Sequence, residues 1–105
     1  MELGNDKIFN NLLKISQNKT LKYFTKKPYS LELLLLLNKK TEIEGIENTY
    51  QLLKSSKPKY PAFKNFLNYL QQNNCVFIKD GKTKKSYKVL SLTDDVKNQL
   101  QDLLN

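Results

Sequence analysis

Between residues 57 and 72 the chain carries Lys57, Lys59, Tyr60, Lys64, Asn65, Asn68 and Gln72, with no carboxylate among them. A carboxamide presents a donor beside an acceptor, the pattern that pairs bidentately with adenine, and a lysine ammonium donates to guanine or to phosphate. The first backbone N–H groups of a helix offer a further phosphate site. Tyr60 can stack on a sugar or donate its hydroxyl to a phosphate, and it can equally be a packed boundary residue. The plain alternative for the whole set is a solvated helix face.

A second basic group, Lys79, Lys82, Lys84, Lys85 and Lys88 with Thr83, is clustered around Asp80-Gly81. Five cations on one hairpin suit a contact that runs along a phosphate backbone. A lysine-rich hairpin also protects a sheet edge from pairing with other chains.

Other chemistry has little to work with. The sequence contains no histidine and one cysteine, Cys75. The usual nitrogen and sulfur ligands for zinc are therefore missing, and so are the commonest general base and an internal disulfide. Cys75 opens an apolar run and reads as a small buried hydrophobe rather than a redox sensor. Nothing implies a cofactor, and an enzyme is the last reading to consider. The formal net charge is +8, and all 18 basic residues are lysine. Such an excess favours a polyanionic partner, nucleic acid first and an anionic membrane surface second. The longest apolar run, Leu33 to Leu37, is far too short to cross a bilayer, and no signal peptide is evident. An intracellular, cytoplasmic protein is expected.

These groups need elements to hold them. Its 105 residues suit one domain over 1–105: an N-terminal helical extension (1–27), a central part (28–93) and a C-terminal helix (94–105). Ile8, Phe9, Leu12, Leu13 and Ile15 recur at helical spacing and predict an amphipathic helix from about Asp6 to Gln17. Residues 18–27 mix aromatics with lysines ahead of Pro28 and leave their conformation open. Ser30 offers an N-cap to a short helix, apolar all round, that must be central to the core. Thr41 and Glu44 fit a capping box, which predicts a helix over about 42–54. A tight turn over 55–60 then leads into a helix over about 61–73, started by Pro61. Phe63, Phe66, Leu67 and Leu70 make its buried face, and Lys64, Asn65, Asn68, Gln71 and Gln72 lie opposite.

Asn74 suits the left-handed residue that ends a helix. A hairpin over about 75–92 follows, with Asp80-Gly81 as its turn and Lys82 to Lys85 as its tip. Thr93 caps the last helix, in which Val96, Leu100, Leu103 and Leu104 share a face.

From Tyr29 to Leu104 this order resembles the archaeal and bacterial winged helix-turn-helix regulators of the MarR, PadR and ArsR-like type. The resemblance is carried by the segment from Phe63 to Val76 and by Leu90-Ser91-Leu92-Thr93-Asp94-Asp95. In those families the first segment is a recognition helix ending in a leucine, a glycine and an apolar pair that opens the wing. Leu70, Asn74, Cys75 and Val76 take those places here, with asparagine for glycine and lysines for the usual wing arginine. The second segment closes the wing and caps the following helix. The resemblance implies an α+β, mostly α fold, a winged helix-turn-helix with flanking N- and C-terminal helices. It also implies a double-stranded DNA partner and a transcriptional regulator. A homodimer through the first and last helices is expected from surplus apolar positions at Ile8, Leu12, Leu100 and Leu104. The alternatives are a protein-contact module of a larger assembly and a binder of RNA or single strands.

Overall fold

The leucines in the middle of the chain decide where the core sits. In the computed structural model, which describes residues 2–55, 57–81 and 88–104, Leu33, Leu34 and Leu37 are fully buried. They belong to α2 (Ser30–Lys40). The helix is central as its sequence predicts, although Leu35 remains on the outside.

Before it come α1 (Glu2–Gln17) and a 3-10 helix at Leu21–Thr25. This short helix settles the segment that the sequence leaves open: Leu21 and Phe24 are both buried beneath it. Asn18 forms its entry, its side-chain oxygen accepting from the backbone N–H groups of Thr20 and Leu21 at 2.8 and 2.9 Å. Ser30 is not the N-cap of α2. Tyr29 holds that position with no side-chain cap, because the Ser30 hydroxyl is buried and turned back onto the preceding turn.

After α2 come β1 (Glu42–Glu44), α3 (Ile46–Leu52), α4 (Tyr60–Gln72), β2 (Val76–Asp80), β3 (Lys88–Leu92) and α5 (Asp94–Leu104). The capping box at Thr41 and Glu44 is overturned, because residues 42–44 are a strand rather than the first turn of a helix. Glu42-Ile43-Glu44 also alternates at a period of two, and pairing settles the choice. β3 is central in a three-stranded antiparallel sheet of order β1-β3-β2. Ile43, opposite Leu90, closes the core from β1. The chain then needs a sharp exit, which Gly45 supplies at φ 98°, a conformation suited to glycine. Its N–H donates to Lys88 O and its carbonyl accepts from Thr49 N–H, so one residue joins the sheet to α3.

The turn after α3 is likewise not tight: α3 stops at Leu52, α4 starts at Tyr60, and Leu53 and Lys59 at the two ends of the connection are both extended. Leu53 anchors them in the core. Buried side chains from α1, the 3-10 helix, α2, β1, α4, β2, β3 and α5 form one apolar cluster. No helix among the described residues is long and apolar enough to cross a membrane.

Candidate nucleic-acid interface

The candidate surface is built on α4, and the helix is held from beneath by rings. Lys59 is its extended N-cap and Pro61 lies in the first turn, where a missing N–H costs no hydrogen bond. Phe63, Phe66, Leu67 and Leu70 are buried as their spacing predicts. Tyr29, buried at the start of α2, packs its ring 5.9 Å from Phe63 and 5.5 Å from Phe66, centroid to centroid. From α3, Tyr50 packs 5.4 Å from Phe63 and 5.3 Å from Tyr60, and its hydroxyl donates to Pro58 O at 2.6 Å. These edge and tilted contacts each add about 0.5–1.5 kcal/mol beyond the area they bury.

A carboxylate fixes the approach to α4. Glu32 of α2 accepts from Lys54 N–H at 2.8 Å, Ser55 N–H at 2.9 Å and the Ser55 hydroxyl at 2.6 Å. Desolvation pushes its pKa upward, but the hydrogen bonds from Ser55 and Lys54 and the Lys54 charge outweigh it, and the group is left below the ordinary value. Glu32 thus holds the start of the connection to α4.

On the outer side, Lys64, Asn65, Asn68, Gln71 and Gln72 are all exposed on one face of α4. Lys64 Nζ reaches over the Tyr60 ring at 5.7 Å. Tyr60 itself is half-buried against Tyr50, so its ring serves as a support. Lys57 lies folded back, its Nζ 5.2 Å above the Tyr50 ring and 3.5 Å from Gln51 O. Lys59 is exposed at the helix start.

The hairpin differs from its expected form. Asp80 is a strand residue paired with Lys88, so Asp80-Gly81 is not a two-residue turn. Lys82, Thr83, Lys84 and Lys85 lie outside the described residues. Lys79 is exposed on β2, while Lys88 forms a salt bridge with Asp80 that takes up part of its charge. At the base of the hairpin Asn74 adopts φ 58°, the left-handed conformation its sequence position predicts. The Thr93 hydroxyl donates to Asn74 O at 2.8 Å and accepts from Val96 N–H, so one side chain ties the end of α4 to the start of α5.

Sequence reasoning missed one part of this surface. Lys26 and Lys27 line a shallow depression of about 610 Å³ with Ala62, Asn65, Phe66 and Tyr69. The lysines of residues 18–27 were the available signal, but without a conformation they could not be placed beside α4.

Three helices, a ring-supported α4 and a hairpin locked to the next helix have clear structural counterparts. The YusO protein from Bacillus subtilis has a TM-score of 0.60 at 17% identity, over 98% of this chain and 70% of its own. AbfR, in the structure of its overoxidized form bound to DNA, has a TM-score of 0.59 at 19% identity, over 99% and 81%. The fold is a winged helix-turn-helix. The heme sensor protein PefR of Streptococcus agalactiae, solved with heme and carbon monoxide, shares this winged helix with a TM-score of 0.54 at 20% identity, over 99% and 74%. No protein-family model matches the sequence, and no curated protein matches it.

Proposed function

We propose that this protein is a double-stranded DNA-binding transcriptional regulator rather than an enzyme, that α4 reads base edges and that the wing follows the backbone. The observation that carries the reading is the outer face of α4: Lys64, Asn65, Asn68, Gln71 and Gln72 together, exposed and free of carboxylates. A protein-contact face would instead present exposed apolar or aromatic anchors at its centre. A winged helix of the same fold, AbfR, has been solved bound to DNA, which supports the same partner here. Lys57, Lys59, Lys79 and Lys88 at the margins, with Lys82, Thr83, Lys84 and Lys85 at the wing tip, supply backbone contacts in this reading.

The whole of 1–105 acts as one unit, and the protein works as a homodimer in the cytoplasm. The dimer draws its support from α1, where Ile8, Phe9, Leu12 and Leu13 are exposed. Leu100 leaves the set of surplus apolar residues, because it is buried within its own chain. Selection from randomised duplexes yields a preferred sequence in this account. On that sequence Asn65→Ala and Asn68→Ala each lose roughly 1–3 kcal/mol of binding, with little change on unrelated duplexes. Variants that bind every duplex as the parent does would end the claim that α4 reads bases.

A further inference from the structure

Lys26 and Lys27 lie on a turn with unusually complete internal bonding. Ser30 Oγ lies 2.5 Å from Phe24 O and 2.7 Å from Lys27 O, so the single proton of this buried hydroxyl is shared between the two carbonyls. The same oxygen accepts from Lys27 N–H at 3.2 Å, and Ser30 N–H donates to Lys27 O at 3.1 Å. The backbone under the two lysines is therefore fixed before any ligand arrives. Both side chains are exposed, and the ion pair between Lys88 and Asp80 involves neither of them.

Their position relative to α4 follows from helix geometry. At about 100° per residue, Ala62, Asn65 and Tyr69 fall on one flank of the amide-bearing face, and Lys64 and Gln71 fall on the other. Lys26 and Lys27 share their depression with the first set. Its floor is aromatic: the Phe66 and Tyr69 rings stack at 5.9 Å, and Tyr23 meets Tyr69 edge-on at 5.8 Å. Lysine stems can lie along such a floor with their ammonium heads at its rim.

A helix about 10–12 Å across nearly fills a major groove about 12 Å wide, so its two flanks meet the phosphates of opposite strands. Cations on one flank alone would hold one strand only. We propose that Lys26 and Lys27 bind the DNA phosphate backbone on the flank of α4 away from Lys64, so that the amide face is held between two cationic rails. The assignment rests on the DNA-binding reading above and adds a binding site that the helix and wing do not contain. Because phosphate carries no sequence information, these lysines contribute affinity to every duplex alike.

The test is fluorescence anisotropy with two fluorescein-labelled duplexes of unrelated sequence, titrated at several salt concentrations between about 50 and 200 mM. Lys26→Gln with Lys27→Gln should weaken binding of both duplexes by the same factor. It should also reduce the slope of log K against log salt by about 1.8, which is about 0.9 for each phosphate left without its cation. Lys26→Arg with Lys27→Arg should restore slope and affinity. Lys39→Gln with Lys40→Gln removes the same charge at the far end of α2 and should leave the slope near the parent value. An unchanged slope in the Lys26/Lys27 glutamine variant, an equal loss in the Lys39/Lys40 control, or a loss confined to one duplex would each overturn the assignment while the DNA-binding reading stands. A parent protein that binds neither duplex would overturn both.

Discussion

α1 and α5 are both amphipathic helices at the ends of the described chain, yet they treat their apolar stripes in opposite ways. α5 turns Val96 and Leu100 inward until they are 0% and 1% exposed, and Leu103 packs against the same cluster. Of the five apolar residues of α1 between Ile8 and Ile15, Ile15 alone is buried, and Ile8 and Phe9 stay 61% and 63% exposed. The difference lies in how each helix is tied down. Thr93 locks the start of α5 to the end of α4, so Val96, Leu100 and Leu103 are laid across the core. α1 joins the core at its C-terminal end, through Ile15 and the bonds that Asn18 makes beyond it. Helical spacing tells which residues share a face, and only the connections tell whether that face meets its own chain.

The comparison breaks first at Leu100. Leu100→Ala should remove about 2–5 kcal/mol from unfolding stability, because it leaves a cavity in a cluster shared by all the major elements. Urea denaturation measures this, and a loss below about 1 kcal/mol would mean that α5 is an accessory rather than part of the core. Asn18→Ala should come next, at about 1–2 kcal/mol. It removes the bonds to Thr20 and Leu21 and the 3.1 Å bond from Asn18 Nδ2 to Gln99, through which the α1 end meets α5. Phe9→Asp with Leu12→Asp should change the unfolding of the single chain by no more than about 0.5 kcal/mol, as exposed substitutions do. The same pair should turn a two-chain particle into a one-chain particle in light scattering. A parent that scatters as a single chain at micromolar concentration would remove the dimer from the account.

The two helices also show what the sequence makes legible. α4 and α5 could be read almost whole, because long runs at one period with a proline or threonine at the start leave a single solution. The face carrying Lys64, Asn65, Asn68 and Gln72 was legible for the same reason. Residues 41–45 were not: Thr41 and Glu44 satisfy the local rules of a helix start, while Glu42-Ile43-Glu44 satisfies those of a strand. The partner that decides, β3, lies more than 40 residues further along the chain. Ser30 misled in the same way, since a hydroxyl before an apolar run suits an N-cap, and its true acceptors appear only once the 3-10 helix is in place. Lys26 and Lys27 escaped for want of that helix too. In each case a local pattern was overruled by a contact that local sequence does not encode.

A rate reads the junction between the two end helices directly. Cys75 is buried where they meet, its Sγ 3.9 Å from Thr20 O and 3.5 Å from Asn73 O. Thr20 in turn donates to Asp95 of α5 at 3.0 Å. Burial, and after it the negative charge of Asp95, raises the thiol from its ordinary 9.0 to about 11. A folded-state pKa above the unfolded value means that the thiol contributes stability in full below pH 9, and that this contribution is lost as pH rises towards about 11. At neutral pH the thiolate fraction in the fold is then roughly a hundredfold below that of the unfolded chain, since two pKa units separate them. Disulfide exchange with an aromatic disulfide reagent should therefore be at least that much slower in the native protein than in urea, because the thiolate is the attacking species. Leu100→Ala should speed the native reaction by loosening the α5 side of the junction, whereas Phe9→Asp with Leu12→Asp should leave it unchanged, because those side chains lie on the outer face of α1. If the outer-face variant accelerates labelling as much as Leu100→Ala does, the first turns of α1 are coupled to the core and the contrast between the two helices is wrong.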